Sequence, residues 1–163
     1  EYVETVALEC EDQNVLRAYH ALNNDFAQFK NNLNSKCSGD YIFQIDADEM
    51  PNQHLIINLP FILESNPDID LFIVPRVNTV EGLTEDHIRK WGWHLNEQGW
   101  INWPDYQRRI YKNSPDIQWV GSVHEVIEGH GKYTLFPADE DLSLYHPKTI
   151  DKQERQNNYY DTL

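Results

Sequence analysis

Tyr41-Ile42-Phe43-Gln44-Ile45-Asp46-Ala47-Asp48-Glu49-Met50-Pro51 is the stretch that decides how the chain is read. Tyr41 to Ile45 are aromatic or β-branched except for Gln44, with Gly39-Asp40 in front and Pro51 behind. The pattern predicts a buried strand over Tyr41 to Ile45 that empties into a carboxylate cluster, Asp46, Asp48 and Glu49. In open α/β sheets, ligands collect outside the carboxyl ends of the strands. Three acids packed together repel one another unless something positive joins them. A hard divalent cation with oxygen ligands is one such partner. The same spacing also suits a simpler role, with Asp48 or Glu49 capping the helix that follows.

Composition narrows the class. A chain of 163 residues is long enough for one domain around one core. Apolar residues make up 40% and aromatics 12%, with five Trp, which is the composition of a folded chain rather than a disordered one. Lys and Arg number 13 against 27 Asp and Glu, a net charge of −14, which argues against nonspecific nucleic-acid binding and against adhesion to an anionic membrane. An anionic substrate would need a metal ion or a local basic patch. Cys10 and Cys37 make no disulfide framework; they read as small buried hydrophobes and fit a reducing, cytoplasmic compartment. No apolar run approaches the roughly 20 residues of a membrane span, and there is no signal-peptide pattern.

Along the chain, Tyr2 to Leu8 reads as a short strand. Val15, Tyr19, Leu22, Phe26, Phe29 and Leu33 then define one helical face, which Asn23-Asn24-Asp25 splits, with Asn24 or Asp25 capping the second part. After the acid cluster, Pro51 and Asn52 open a helix carrying Leu55, Ile56, Leu59 and Ile62 or Leu63, with Pro60 expected to kink or divide it. Asp70 to Val80 reads as a strand in which Pro75 predicts a bulge or an edge. Residues 81–105 have no clean period and hold Trp91, Trp93, Trp100 and Trp103. These aromatics suit two readings, a platform on which a sugar ring stacks or a small satellite core. Strands are expected over Gln107 to Lys112, over Ile117 to Ile127 with an interruption at Gly121, over Tyr133 to Phe136, and over Leu142 to Tyr145. Residues 149–163 read as a terminal helix with Thr149 as N-cap. There is no internal repeat and no Gly-rich phosphate loop.

Asp46-Ala47-Asp48-Glu49 at a strand end resembles the Asp-X-Asp motif of GT-A glycosyltransferases, most closely the family 2 enzymes. Further matches follow in order: Gln107-Arg108-Arg109-Ile110-Tyr111, then Val123-His124-Glu125, then Tyr145-His146-Pro147-Lys148, then the Gln-, Arg-, Asn- and Tyr-rich segment Gln153 to Tyr160. The resemblance covers about residues 24–163. It implies a single α/β domain over residues 1–163, a GT-A-like, Rossmann-related mixed sheet with helices on both faces. Residues 1–23 carry no equivalent of the family's opening strand, nucleotide-binding loop and second acidic turn, so a minimal or N-terminally truncated form is expected.

The resemblance also implies a nucleotide-diphosphate-sugar donor, with a UDP-sugar as the default, a carbohydrate or other hydroxyl acceptor, inversion at the anomeric carbon, and Mn²⁺ or Mg²⁺. Negative charge grows on the departing diphosphate, and a metal between it and Asp48 would stabilise that charge. Asp46 would orient the ribose or a metal-bound water, with Ala47 beside it at the nucleotide. His146 is a further metal ligand or, in the plainer reading, a helix-entry residue beside Pro147. Arg109 and Lys148 would pair with phosphate oxygens or stand as ordinary surface cations. Glu125 is the first choice for the base that takes the acceptor's proton. His124 is its neighbour on the acceptor side, and Asp105 is held in reserve. Trp91 and Trp93 would face the sugar. Two rivals remain: a non-catalytic nucleotide-sugar-binding remnant, and a metal-dependent phosphoester hydrolase using Asp46, Asp48 and Glu49.

Overall fold

The computed structural model describes residues 18, 20–23, 25–122 and 124–160; the strand expected over Tyr2 to Leu8 and the first part of the N-terminal helical face lie outside them. The protein is mixed α/β, with a mixed sheet flanked by helices. The chain falls into two compact units, residues 1–42 with 111–130 and residues 43–110 with 131–163.

The first unit is built on α1 (Phe26–Asn34), whose N-cap is Asp25: its carboxylate accepts from the Gln28 amide at 2.8 Å. A hairpin of β6 (Gln118–Val120) and β7 (Val126–Glu128) replaces the single interrupted strand expected over Ile117 to Ile127. Trp119 is buried in this unit. Its indole donates to the Tyr111 hydroxyl at 3.0 Å, which donates in turn to Asn34 Oδ1 at 2.9 Å. Gly129 follows β7 with φ +81, and a Cβ there would meet the Asp116 carbonyl oxygen at 1.7 Å, so no other residue fits. Cys37, expected to be buried, is exposed: it follows the end of α1 in a turn rather than on the helix's apolar face.

In the second unit, β3 (Leu71–Val74) pairs in parallel with β8 (Tyr133–Leu135). The sheet order is β1-β5-β3-β8, where β1 (Tyr41–Phe43) and β5 (Gln107–Lys112) are the strands that carry the chain between the units. β1 stops at Phe43 rather than Ile45, because a turn closed by Glu49 N–H on the Asp46 carbonyl (2.9 Å) begins at the acid cluster. Pro75 does more than bulge a strand. The chain leaves one sheet at Val74 and enters another at Arg76, where β4 (Arg76–Glu81) runs parallel to β9 (Leu144–Thr149). β2 (Met50–Pro51) pairs antiparallel with the start of β9, which makes this sheet mixed. Pro147 lies beyond the reach of β2, so its missing N–H breaks no ladder bond on that side.

α2 (Gln53–Ser65) is capped by Asn52, whose side chain accepts from His54 N–H at 2.8 Å. It runs through Pro60 undivided, and Ile56, expected in its buried stripe, is 46% exposed. α3 (Glu85–Trp91) lies in the stretch that showed no period. Thr84 and His87 form its capping box, and Gly92 closes it in the left-handed conformation. α4 (Ile150–Tyr160) follows β9, with Thr149 Oγ1 accepting from Lys152 N–H at 3.4 Å as the N-cap expectation requires. Leu55, Leu71, Phe72, Val74, Val77, Ile110 and Leu144 form the core of this unit.

Candidate functional site

The turn after β1 sends its three acids in two directions. Glu49 has a fully buried side chain held between two guanidinium groups. Arg109 donates to it from Nε (2.9 Å) and Nη2 (2.7 Å), and Arg76 donates from Nη1 (2.7 Å). Asp46 takes a second bond from Arg109 Nη2 at 2.5 Å and one from Gln44 Nε2 at 3.1 Å. Burial opposes the Glu49 charge, yet the Arg109 and Arg76 guanidiniums hold its carboxyl below the usual carboxylate range. The positive partner of these two acids is therefore arginine. Arg109, expected on phosphate oxygens, is buried and donates to Glu49 and Asp46.

Asp105 extends this network. Its Oδ2 accepts from Arg76 Nε (3.0 Å) and Nη2 (2.6 Å) and from Asn78 Nδ2 (2.8 Å), and its Oδ1 accepts from Gln107 (2.8 Å). Burial again opposes the charge, and Arg76 with Asn78 holds the carboxyl low. A carboxylate so fully engaged is a poor proton acceptor, which weakens its case as the reserve base.

Asp48 turns the other way. His146, Lys148 and Leu144 share one face of β9 because side chains alternate along a strand. Asp48 Oδ2 lies 3.2 Å from His146 Nε2, 3.3 Å from Lys152 Nζ on α4 and 4.0 Å from Lys148 Nζ. The His146 hydrogen bond holds the Asp48 carboxyl far below its ordinary range; burial opposes this, and the charges of His146, Lys152 and Lys148 add to it. Burial pushes the Lys148 amine down, and its Nζ donates to Gln156 Oε1 at 2.5 Å. One carboxylate thus faces three cationic or basic groups, a local positive surplus in an acidic chain. Such a spot attracts an anion.

Among the described residues, no group of three or more His, Cys, Asp or Glu side chains is arranged to hold a metal ion. Asp46, expected as a ligand, faces Arg109 instead, which leaves Asp48 and His146 as adjacent donors. One carboxylate oxygen and one imidazole nitrogen make no closed cage. A Mn²⁺ or Mg²⁺ held by these two would need its remaining positions filled by water and substrate phosphates, beside the Lys152 and Lys148 ammonium groups that face the same carboxylate oxygen.

A cavity of about 230 Å³ opens beside His146, with Arg76, Lys148 and Trp93 in its wall. Asn102, Gln153, Gln156 and Asn157 add amide groups that both donate and accept hydrogen bonds. Trp91 stands next to Trp93, ring centroids 4.6 Å apart, and stacks on His87 at 5.2 Å. Of the two aromatics expected to face a sugar, Trp93 lines the cavity and Trp91 packs against it.

Glu125 belongs to the first unit. It pairs with Lys30, whose ammonium also sits 4.1 Å above the Trp119 ring. His124, in the β6–β7 turn, has a positive φ of 56°.

Arg76, Asn78 and Lys152 escaped the sequence reading. Arg76 and Asn78 alternate on β4, where a period-2 reading of residues 76–81 could have grouped them, while nothing local marks Lys152 among the other polar residues of α4. No protein-family model matches the chain, and no curated protein matches it.

Proposed function

We propose that this protein is a metal-dependent, inverting glycosyltransferase of the GT-A type, similar to family 2, that moves a sugar from a nucleotide diphosphate, by default UDP, to a hydroxyl acceptor. The observation that carries the reading is the contact of Asp48 with His146, the acid of the Asp-X-Asp string against the late histidine of the same resemblance. The bound metal ion would neutralise charge on the departing diphosphate. Asp48 and His146 would hold that ion; Lys148 and Lys152 would lie along the phosphate oxygens. The amide-rich cavity bounded by Trp93 would take the sugar ring, since an indole face packs on the apolar side of a pyranose while amides satisfy its hydroxyls. Glu125 would accept the proton of the attacking hydroxyl.

Calorimetric titration of UDP, GDP and their sugar conjugates, with and without Mn²⁺, tests this on the wild type and on Asp48→Ala. Binding that needs both Mn²⁺ and Asp48 is the expected outcome. Glu125→Gln should then keep nucleotide binding and lose sugar transfer. If no nucleotide binds a folded protein, the transferase reading fails. If nucleotides bind and Glu125→Gln changes no rate, the chain is a binding module and not an enzyme of this kind.

A further inference from the structure

α2 carries two apolar faces where a helix lying on a core needs only one. Leu55 is fully buried, and Leu59 and Ile62, on the same face at helical spacing, are half-buried. Ile56, Ile57, Pro60 and Phe61 recur on the opposite face and are exposed. Phe61 at 72% and Ile57 at 64% are the two most exposed large apolar side chains among the described residues, and they stand one helical turn apart. Gln53 and Glu64, both exposed, carry the same stripe to its two ends. Single exposed apolar residues are ordinary, but a contiguous patch of them on one helix face marks a surface that meets a partner.

The charges select that partner. Residues 50–63 hold no Asp, Glu, Lys or Arg, although these make up 25% of the chain. Two copies with a net charge of −14 each repel one another, and an uncharged patch lets them meet without setting like charges face to face. The ends of the helix are complementary as well. Its first turn has no acid and its last turn no base, so Glu64 lies at the negative end of its own helix dipole. A second copy turned antiparallel by two-fold symmetry corrects this. Glu64 of each copy then comes to the positive, N-terminal end of the other helix, opposite Gln53, whose amide donates to it. In the same register Ile56 falls opposite Phe61, and Ile57 opposite Pro60. A lipid surface suits the helix less well, since helices that lie on a bilayer are rich in Lys and Arg along the polar face and this one has neither. We propose that the exposed face of α2 is a homodimer interface, in which two copies of this chain pair α2 antiparallel about a two-fold axis passing between Ile57 and Pro60. Nothing in this pairing depends on a metal or on sugar transfer. A single helix pair is a small interface, so the dimer exchanges with monomer as concentration changes.

Sedimentation velocity of the full chain over a wide concentration range tests this. The wild type should pass from monomer to dimer as concentration rises. Ile57→Glu and Phe61→Glu change exposed positions, so the fold should survive by circular dichroism, and each should weaken association about 100-fold by burying an unpaired charge. Gln53→Lys should tighten the dimer a few-fold at low salt, because the new ammonium meets Glu64 of the other copy. Adding Glu64→Lys should undo that gain even though it lowers the net negative charge further, an outcome that the antiparallel register alone produces. A wild type that stays monomeric to millimolar concentration, or a dimer that survives Ile57→Glu or Phe61→Glu, overturns the proposal. So does a monomer that uses this face on lipid vesicles or on a different protein. A dimer that Phe61→Glu breaks and Gln53→Lys weakens overturns the antiparallel pairing.

Discussion

Asp46 and Glu49 on one side, and Asp48 on the other, leave the same four-residue turn for opposite surroundings. The first two meet Arg76 and Arg109, which are planar, always charged and able to grip a carboxylate through paired N–H groups. Asp48 meets a histidine and two lysines, held by single contacts of 3.2 to 4.0 Å. Arginine clamps make a permanent, neutralised joint in a buried place. Imidazole and ammonium groups can change partner, protonation or position when a ligand arrives. Equal acids in one motif therefore divide into a scaffold half and an exchangeable half.

The largest test of that division is Arg109→Met. It leaves the buried Glu49 carboxylate without its main partner and should lower stability by about 3–5 kcal/mol. For a chain of this length, that is a fall in Tm of roughly 10 °C, read by thermal denaturation. Asp48→Asn should do the reverse. It should lower Tm less than Arg109→Met does, since the amide keeps a polar oxygen toward His146 and the lysines, and abolish Mn²⁺-dependent nucleotide binding. If the two variants lose stability equally, the division is wrong.

Acid should separate the halves further. Asp48, Glu49 and Asp105 all titrate lower in the folded protein than unfolded. The unfolded chain then binds more protons, so stability rises with pH across this range. The contribution is complete above the ordinary carboxylate values near pH 4 and drains away as pH falls through the lower folded ones. Melting curves from pH 6 down to pH 2 should show this loss, and Asp48→Asn should flatten the slope. A slope unchanged in that variant would remove Asp48 from the set. The smallest effect belongs to Lys152→Gln, whose side chain is 47% exposed. It should weaken nucleotide binding a few-fold at low salt, by about 1 kcal/mol or less, and the difference should fade as salt is raised.

The sequence made most of the scaffold legible, for identifiable reasons. β5 was readable over its whole length, Asn52 announced the helix start that it caps, and of the two caps offered for α1, Asn24 or Asp25, Asp25 takes the role. Pro75 marked a break, although no local rule says that the strands on either side enter different sheets. α3 was missed because a seven-residue helix with no buried side chain has no periodic face to read. At the site, Asp48, His146, Lys148 and Trp93 were all chosen from the sequence. Their common neighbour Asn78 was not, since a lone Asn in a strand carries no signal of its own. The charge logic of the acid cluster requires a positive partner, and for Asp46 and Glu49 that partner is Arg109 together with Arg76, residues distant in sequence that only the tertiary fold could match to them.

The parallel pairing of β4 with β9 joins positions 68 residues apart, Asn78 and His146 among them. Contacts that close so long a loop form late, after local helices and hairpins. A growing polypeptide that has left the ribosome as far as β8 already owns the whole acid-rich turn, both arginines, Asp105 and Asn78. It still lacks the imidazole that faces Asp48. The site thus comes into being only once β9 and α4 have been made and have folded onto β4.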